Sequence, residues 1–230
     1  MRILAIETST DYCGVAVGDG VRWCLREEIA GQSHSERALL LCQELLSEAG
    51  YALRELDGIA FGAGPGSFTG IRIACGLAQG LALANDLPVV PIATLEALAE
   101  AAWTGGGHSR IVTCLDARMR EVYVAAYARI DGLWETEADP AVMSPTAVAG
   151  LGGPGWFGAG NGFAAYPALA AQLELATTDG TMRPSARAVA ELGLKRLARG
   201  EAVAAEDAMP LYVRHRVALT TAERDAGERL

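Results

Sequence analysis

The sequence predicts an α/β fold of two halves, each a mixed sheet with helices on its faces. Two observations carry this. The first is an internal echo. RILAIETSTDYCGVAVGDGVRWCLREEIA (2–30) and RIVTCLDARMREVYVAAYARIDGLWETE (110–137) share one pattern. Each reads as a strand, a turn, a second strand, an Asp-Gly turn and a third strand, and Asp-Gly between apolar runs signals a hairpin. The copies start about 108 residues apart, too far for a solenoid repeat. The second observation is that helical periodicities alternating with short apolar runs follow each copy. The first half spans 1–107. A second half spans 108–215, with GGGHS (105–109) at the seam. The polar tail 216–230 is expected to fray.

The elements follow in order. The first strand ends at Glu7 and the second covers 13–18. SHSERALLLCQELLSEAG is a helix, with Ser33 and Glu36 at capping-box spacing and Gly50 as its stop. LDGIAFGAGP is a buried strand, SFTGIRIACGLAQGLALAND a helix, LPVVPIA a strand and TLEALAEAAW a helix. In the second half the first strand ends at Asp116 and the second covers about 121–129. SPTAVAGL is a short helix, GWFGAGNG a strand with a glycine turn, and PSARAVAELGLKRLARG a helix from Pro184 to Gly200. Two such halves would face each other across a cleft, with Glu7 and Asp116 at equivalent positions.

The net charge is −9 and uneven. Residues 1–107 carry 6 basic and 13 acidic groups (6 − 13 = −7); residues 108–230 carry 13 and 15 (13 − 15 = −2). An acidic first half is a poor partner for nucleic acid, whose binding rests on neutralised phosphates. No stretch reaches the ~18 consecutive apolar residues of a membrane span, and a glutamate at position 7 argues against a signal peptide. Five cysteines (13, 24, 42, 75, 114) contain no C-x-x-C pair and read as buried thiols of a cytoplasmic protein.

FGAGPGSFTG (61–70) holds four glycines and one proline. It has no lysine for a Walker A loop, and Thr69 stands where a dinucleotide fingerprint needs its third glycine. It reads as a tight turn leading to Ser67 as an N-cap, with N–H groups that can hold an anion. Within the helix, Gly76, Gly80 and Ala84 form one small-residue strip and Gly70, Ala74 and Ala78 another. Helical glycine costs about 1 kcal/mol against alanine, so close approach by neighbours is expected. Helix 34–49 has a similarly wide apolar stripe. Two adjacent helices with surplus apolar surface read as a partner interface, assigned to Ala38, Leu41, Cys42, Leu45, Gly70, Ala74, Leu77, Ala78 and Leu81. The alternative is a broad core within the chain.

Glu7, Thr8, Ser9 and Asp11 cluster at a strand end, where they either contact a cleft ligand or cap a hairpin turn. Asp116 and Arg118, at the matching site, are a salt bridge or further ligand contacts. His34 reads as a first-turn helix residue, and no H-x-x-x-H or H-E-x-x-H supplies zinc ligands. YVRHR (212–216) reads as a solvated basic face.

ILAIETST at the start, GPGSFTGIRI (64–73), DAR…EVY (116–123) and PLYVR (210–214) together resemble the TsaB family. That family is the non-catalytic dimerisation subunit of the bacterial machinery making N6-threonylcarbamoyladenosine at position 37 of tRNA. The resemblance implies an actin-like/Hsp70-like ATPase fold of two RNase-H-like halves. It also implies TsaD as partner through helices near 34–49 and 67–85, or a second copy of the chain when TsaD is absent. The catalytic relative TsaD carries its metal on an H-x-E-x-H stretch. The corresponding TLEAL has Thr94 and Leu98 in place of the histidines, so the resemblance implies no metal and no catalytic residue here.

The expectation is therefore a scaffold without activity of its own. It would work with TsaD and the ATPase TsaE on tRNAs reading ANN codons. ATP would be used by the complex, this chain would bind no cofactor, and tRNA would be reached indirectly. The rivals are a stand-alone kinase-like or nucleotide-binding enzyme of the same fold, a protease, and a homodimeric binding module with its own cleft ligand.

Overall fold

The computed structural model describes residues 1–31 and 33–214; the expectation about 216–230 lies outside the described residues. The first half runs β1 (Ile3–Glu7), β2 (Tyr12–Gly18), β3 (Trp23–Ile29), α1 (His34–Ala49), β4 (Gly58–Gly64), α2 (Phe68–Leu83), β5 (Val89–Ala93) and α3 (Thr94–Gly106). The second runs β6 (Arg110–Asp116), β7 (Val122–Ile130), β8 (Leu133–Met143), β9 (Phe157–Ala159), α4 (Asn161–Ala165), α5 (Ala168–Gln172), β10 (Thr177–Asp179) and α6 (Ala186–Ala198).

The echo is topological. One five-stranded sheet has the order β3-β2-β1-β4-β5, and the other β8-β7-β6-β9-β10. In each, an antiparallel three-stranded meander is extended by two parallel strands. This is the actin-like/Hsp70-like arrangement of two RNase-H-like halves. Every residue of β1 and β4 is buried, as expected of central strands covered on both faces.

The two covers of the first sheet come from different parts of the chain. On one face, Leu4, Ile6, Val15 and Phe61 pack with Leu41 and Leu45 of α1 and Ala74 and Ala78 of α2. On the other, Ile3, Ala60 and Val90 pack with Ala186, Val189 and Ala190 of α6. Helix α3 lies on the second sheet, with Leu95, Leu98 and Ala99 against Ile111 and Tyr127. The sheet built from 1–107 is thus completed by a helix from 186–198.

Several local expectations change. The β2–β3 turn is not the tight Asp-Gly type. Asp19 Oδ1 accepts from the N–H groups of Val21 and Arg22 at 2.9 and 2.8 Å, which holds a four-residue loop. Asp131-Gly132 does adopt the two positive φ values, 50° and 81°. Ser33 occupies the α1 N-cap without a side-chain capping bond, whereas Gly50 stops the helix at φ 72°. Ser67 caps α2 through Gly70 N at 3.3 Å. SPTAVAGL forms only a 3-10 turn, Pro145–Ala147, because Gly150, Gly152, Gly153 and Gly155 all take positive φ and turn the chain away. Helices α4 and α5 and strand β10 escape the sequence reading; each is five residues or fewer.

The partner-interface assignment needs correction. Ala38, Leu41, Cys42, Leu45, Gly70, Ala74 and Ala78 are buried inside the chain, and Leu77 and Leu81 are half-buried. The wide stripes are wide because each helix fills a groove between the sheet and its neighbour. The exposed apolar groups on these helices are Leu39, Leu40, Phe68 and Leu83. Of the two small-residue strips, Gly70-Ala74-Ala78 faces inward. Gly76 and Gly80 face open space, with nothing within 4 Å of where a Cβ would sit. No helix of the described residues is long and apolar enough to cross a membrane.

Candidate functional site: the cleft between the halves

The glycine-rich stretch docks on the β1–β2 turn. Ser67 N donates to Ser9 O at 2.7 Å. Thr8 Oγ1 donates to Gly70 O at 2.7 Å, and a Cβ on residue 70 would collide with the Thr8 carbonyl. Glycine at 70 therefore serves close backbone approach.

The predicted cleft residues divide into two sets. Ser9, Asp11, Asp116 and Arg118 line a cavity of about 440 Å³ between the halves. Glu7 and Thr8 lie beneath it, buried and outside its lining. Their expected role as direct contacts is corrected by the inward turn of β1 at its end. Glu7 Oε1 accepts from Ser9 N at 2.6 Å, while the buried Oε2 has no hydrogen-bond partner. Burial pushes the Glu7 carboxyl up to about 7 against the pull of Ser9, with Glu27 adding to the rise. A Cβ on Gly62 would overlap the Glu7 carboxylate. Across the cleft, Asp116 N donates to Asn161 Oδ1 at 2.9 Å, and Asp116 pairs with Arg118 at 3.5 Å.

The turn after Asp116 is strained. Arg118, Met119 and Arg120 all take left-handed φ, at 60°, 53° and 60°. Each such residue costs roughly 1–2 kcal/mol, and such strain gathers at functional sites. The turn is closed by Ala117 N to Glu121 O and Glu121 N to Arg118 O. It leaves Arg118, Met119 and Arg120 exposed.

A strap that sequence reading treated as a solvated face forms a third wall. Leu211 N donates to Ala63 O in the first half at 2.7 Å. Arg214 donates to Ala117 O in the second half at 3.0 Å and to Glu121 Oε2 at 2.6 Å. The strap from Leu211 to Arg214 therefore ties the halves, with Arg214 as its anchor in the second, while His215 and Arg216 lie outside the described residues. Between the anchors, Tyr212 accepts from Arg72 Nε at 2.8 Å, and the Arg72 guanidinium sits 3.6 Å above the Phe68 ring. Phe68, Arg72, Tyr212 and Arg214 all line the cavity and were not among the predicted contacts. Their signal was the GPGSFTGIRI motif for Phe68 and Arg72 and the PLYVR motif for Tyr212 and Arg214.

Helix α3, which the resemblance aligns with the metal-bearing stretch expected of the catalytic relative, is closed here. Thr94 and Leu98 are fully buried, and Glu96 is ion-paired with Arg196. Among the described residues no three His, Cys, Asp or Glu side chains are grouped to hold a metal ion. The cysteines are all unpaired and, apart from the half-buried Cys24, buried. Burial pushes the Cys42 and Cys114 thiols up to about 12.

Residues 27–219 match the family model described as TsaD, tRNA N6-adenosine threonylcarbamoyltransferase. The tRNA threonylcarbamoyladenosine biosynthesis protein TsaB of Escherichia coli is 39% identical over 224 residues, which are 95% of this chain and 96% of that one. The chain belongs to the TsaB family. The Haemophilus influenzae TsaB is 34% identical over 94% of this chain and 95% of its own. A Pseudomonas aeruginosa crystal structure, described as similar to peptidase YEAZ, superposes with a TM-score of 0.86 at 39% identity. It covers 93% of this chain and 99% of its own. The cleft, the strap and the buried α3 face are thus features of a TsaB-family chain that matches the E. coli and H. influenzae proteins nearly end to end.

Proposed function

We propose that this chain is a non-catalytic scaffold in the transfer of threonylcarbamoyl to N6 of adenosine 37 in tRNAs reading ANN codons. It pairs with TsaD, which performs the transfer, and the pair works with the ATP-using TsaE. The observation that carries this reading is the α3 face. Thr94 and Leu98, which the resemblance sets where the catalytic relative has histidines, are fully buried, which supports a chain that keeps the fold and leaves the chemistry to its relative. The names of the TsaB relatives support the pathway.

The partner surface in this reading is the outer face of α1 and α2. Leu39, Leu40 and Leu83 are exposed there, and the bare backbone at Gly76 and Gly80 admits a closely packed helix. TsaD is the occupant in the complex, and a second copy takes its place when the chain is alone. Packing on this face would hold TsaD in its active conformation.

The test is reconstituted threonylcarbamoyladenosine formation on tRNA, read by nucleoside mass spectrometry with TsaD, TsaE and the adenylate-forming enzyme present. Product only when this chain is added supports the scaffold. Equal product without it overturns the scaffold.

A further inference from the structure

The cleft mouth carries a grouping that the scaffold role does not use. Phe68 and Tyr212 are the only exposed aromatic side chains among the described residues, at 51% and 44%. They stand side by side, with ring centroids 6.2 Å apart, on the rim of the same cavity. Arg72 reaches that cavity from the first half and Arg118 from the second. The Arg118 side chain is 78% exposed, and Arg120 follows it on the strained turn.

We propose that this mouth takes one unstacked nucleotide of single-stranded RNA, its base against Phe68 and Tyr212 and its phosphate between Arg72 and Arg118. The proposal rests on the reading of a tRNA-modifying complex, which puts RNA within reach. Aromatic faces beside arginines suit single-stranded nucleic acid, because every base offers a π-face to stack and every phosphate an anion to pair. A cavity of about 440 Å³ admits a nucleotide and excludes a duplex. The chain's charge of −9 disfavours RNA over most of its surface; in the cavity the three arginines Arg72, Arg118 and Arg214 outnumber the carboxylates Asp11 and Asp116, the second of which pairs with Arg118. The backbone strain at Arg118–Arg120 has a use here, since it turns two arginines out beside the cleft.

The experiment measures binding of a short fluorescein-labelled single-stranded RNA to the full chain by anisotropy at several salt concentrations. The matching duplex and free AMP serve as competitors. Tyr212→Ala and Arg118→Gln should each weaken the single strand about ten-fold. Arg118→Gln should also flatten the salt dependence, and Tyr212→Phe, which keeps the ring but gives up the hydroxyl that accepts from Arg72, should bind more tightly than Tyr212→Ala. Arg54→Gln at the far end of the first sheet should change nothing. The proposal is overturned if no binding occurs, if duplex binds equally, if AMP displaces the RNA at matching concentration, or if all variants bind alike. Chain-dependent product with RNA affinity unmoved by these variants would sink this site and leave the scaffold standing. Product independent of the chain, with variant-sensitive RNA binding, would do the reverse.

Discussion

Lys195 on α6 and Glu100 on α3 form an ion pair 2.7 Å long that ties the cover of one sheet to the cover of the other. Glu100 is 2% exposed and also accepts from Arg129 of β7 and Trp134 of β8, each at 2.6 Å. Burial alone would raise its carboxyl. The donors Lys195, Trp134 and Arg129 overcome this and hold it below the usual range. Removing one partner of a buried pair strands the others. Glu100→Ala should therefore destabilise the chain by about 3–5 kcal/mol, seen as a lower urea midpoint. An unchanged midpoint would show the cluster to be dispensable.

Glu7 makes stability fall with rising pH. Its native carboxyl titrates near 7 against 4.5 in the unfolded chain, so the native state holds the extra proton between those values. The contribution is fully present below about 4.5 and is lost as pH rises through 7. A shift of that size corresponds to about 3 kcal/mol. Glu7→Gln should flatten the pH dependence of unfolding between pH 5 and 8 and gain most at the alkaline end. Parallel pH profiles for the two proteins would refute this.

Core and surface positions on the same two helices should separate cleanly. Leu41→Glu and Ala78→Arg put charge into the buried stripe, and each should unfold or severely destabilise the monomer, by about 3 kcal/mol or more. Gly76→Arg adds its side chain in open space. It should raise monomer stability by up to ~1 kcal/mol through helix propensity while abolishing pairing with TsaD. Gel filtration and thermal melting of the four proteins check both halves of the statement. A destabilised Gly76→Arg monomer would show that strip to be packed.

Gly62 and Glu7 should be energetically coupled. A methyl at 62 overlaps the carboxylate, so Gly62→Ala alone should cost about 2 kcal/mol or more. Much of that loss should vanish in the Glu7→Ala background, where the clash is gone. A double-mutant cycle with no coupling would contradict the contact.

What the sequence made legible follows from which physics is local. The hairpin echo, the alternation of strands and helices and the cap at Ser67 were readable, because turn chemistry and apolar period act over a few residues. The direction in which a wide apolar stripe faces was not. Leu41 and Ala78 carry the same local signal whether they meet a partner or β1 and β4 of their own chain. Glu7 looked like a cleft ligand because its type and strand-end position suit one; its inward rotation depends on Gly62 of a strand 55 residues later. Arg214 and Tyr212 belong to the site only through contacts with Ala117 and Arg72, at 97 and 140 residues' separation. No local pattern reports such pairs.

The crossing of α6 onto the first sheet has a consequence for biosynthesis. Ile3, Ala60, Val90 and Ile92 all emerge from the ribosome well before Ala186–Leu192, the residues that cover them. At about 5–20 residues per second, that sheet face stays bare for several seconds of translation. The amino-terminal half therefore cannot complete its fold co-translationally. The whole chain must condense late, as a unit of long sequence separation, with this uncovered face as the natural target of a nascent-chain chaperone.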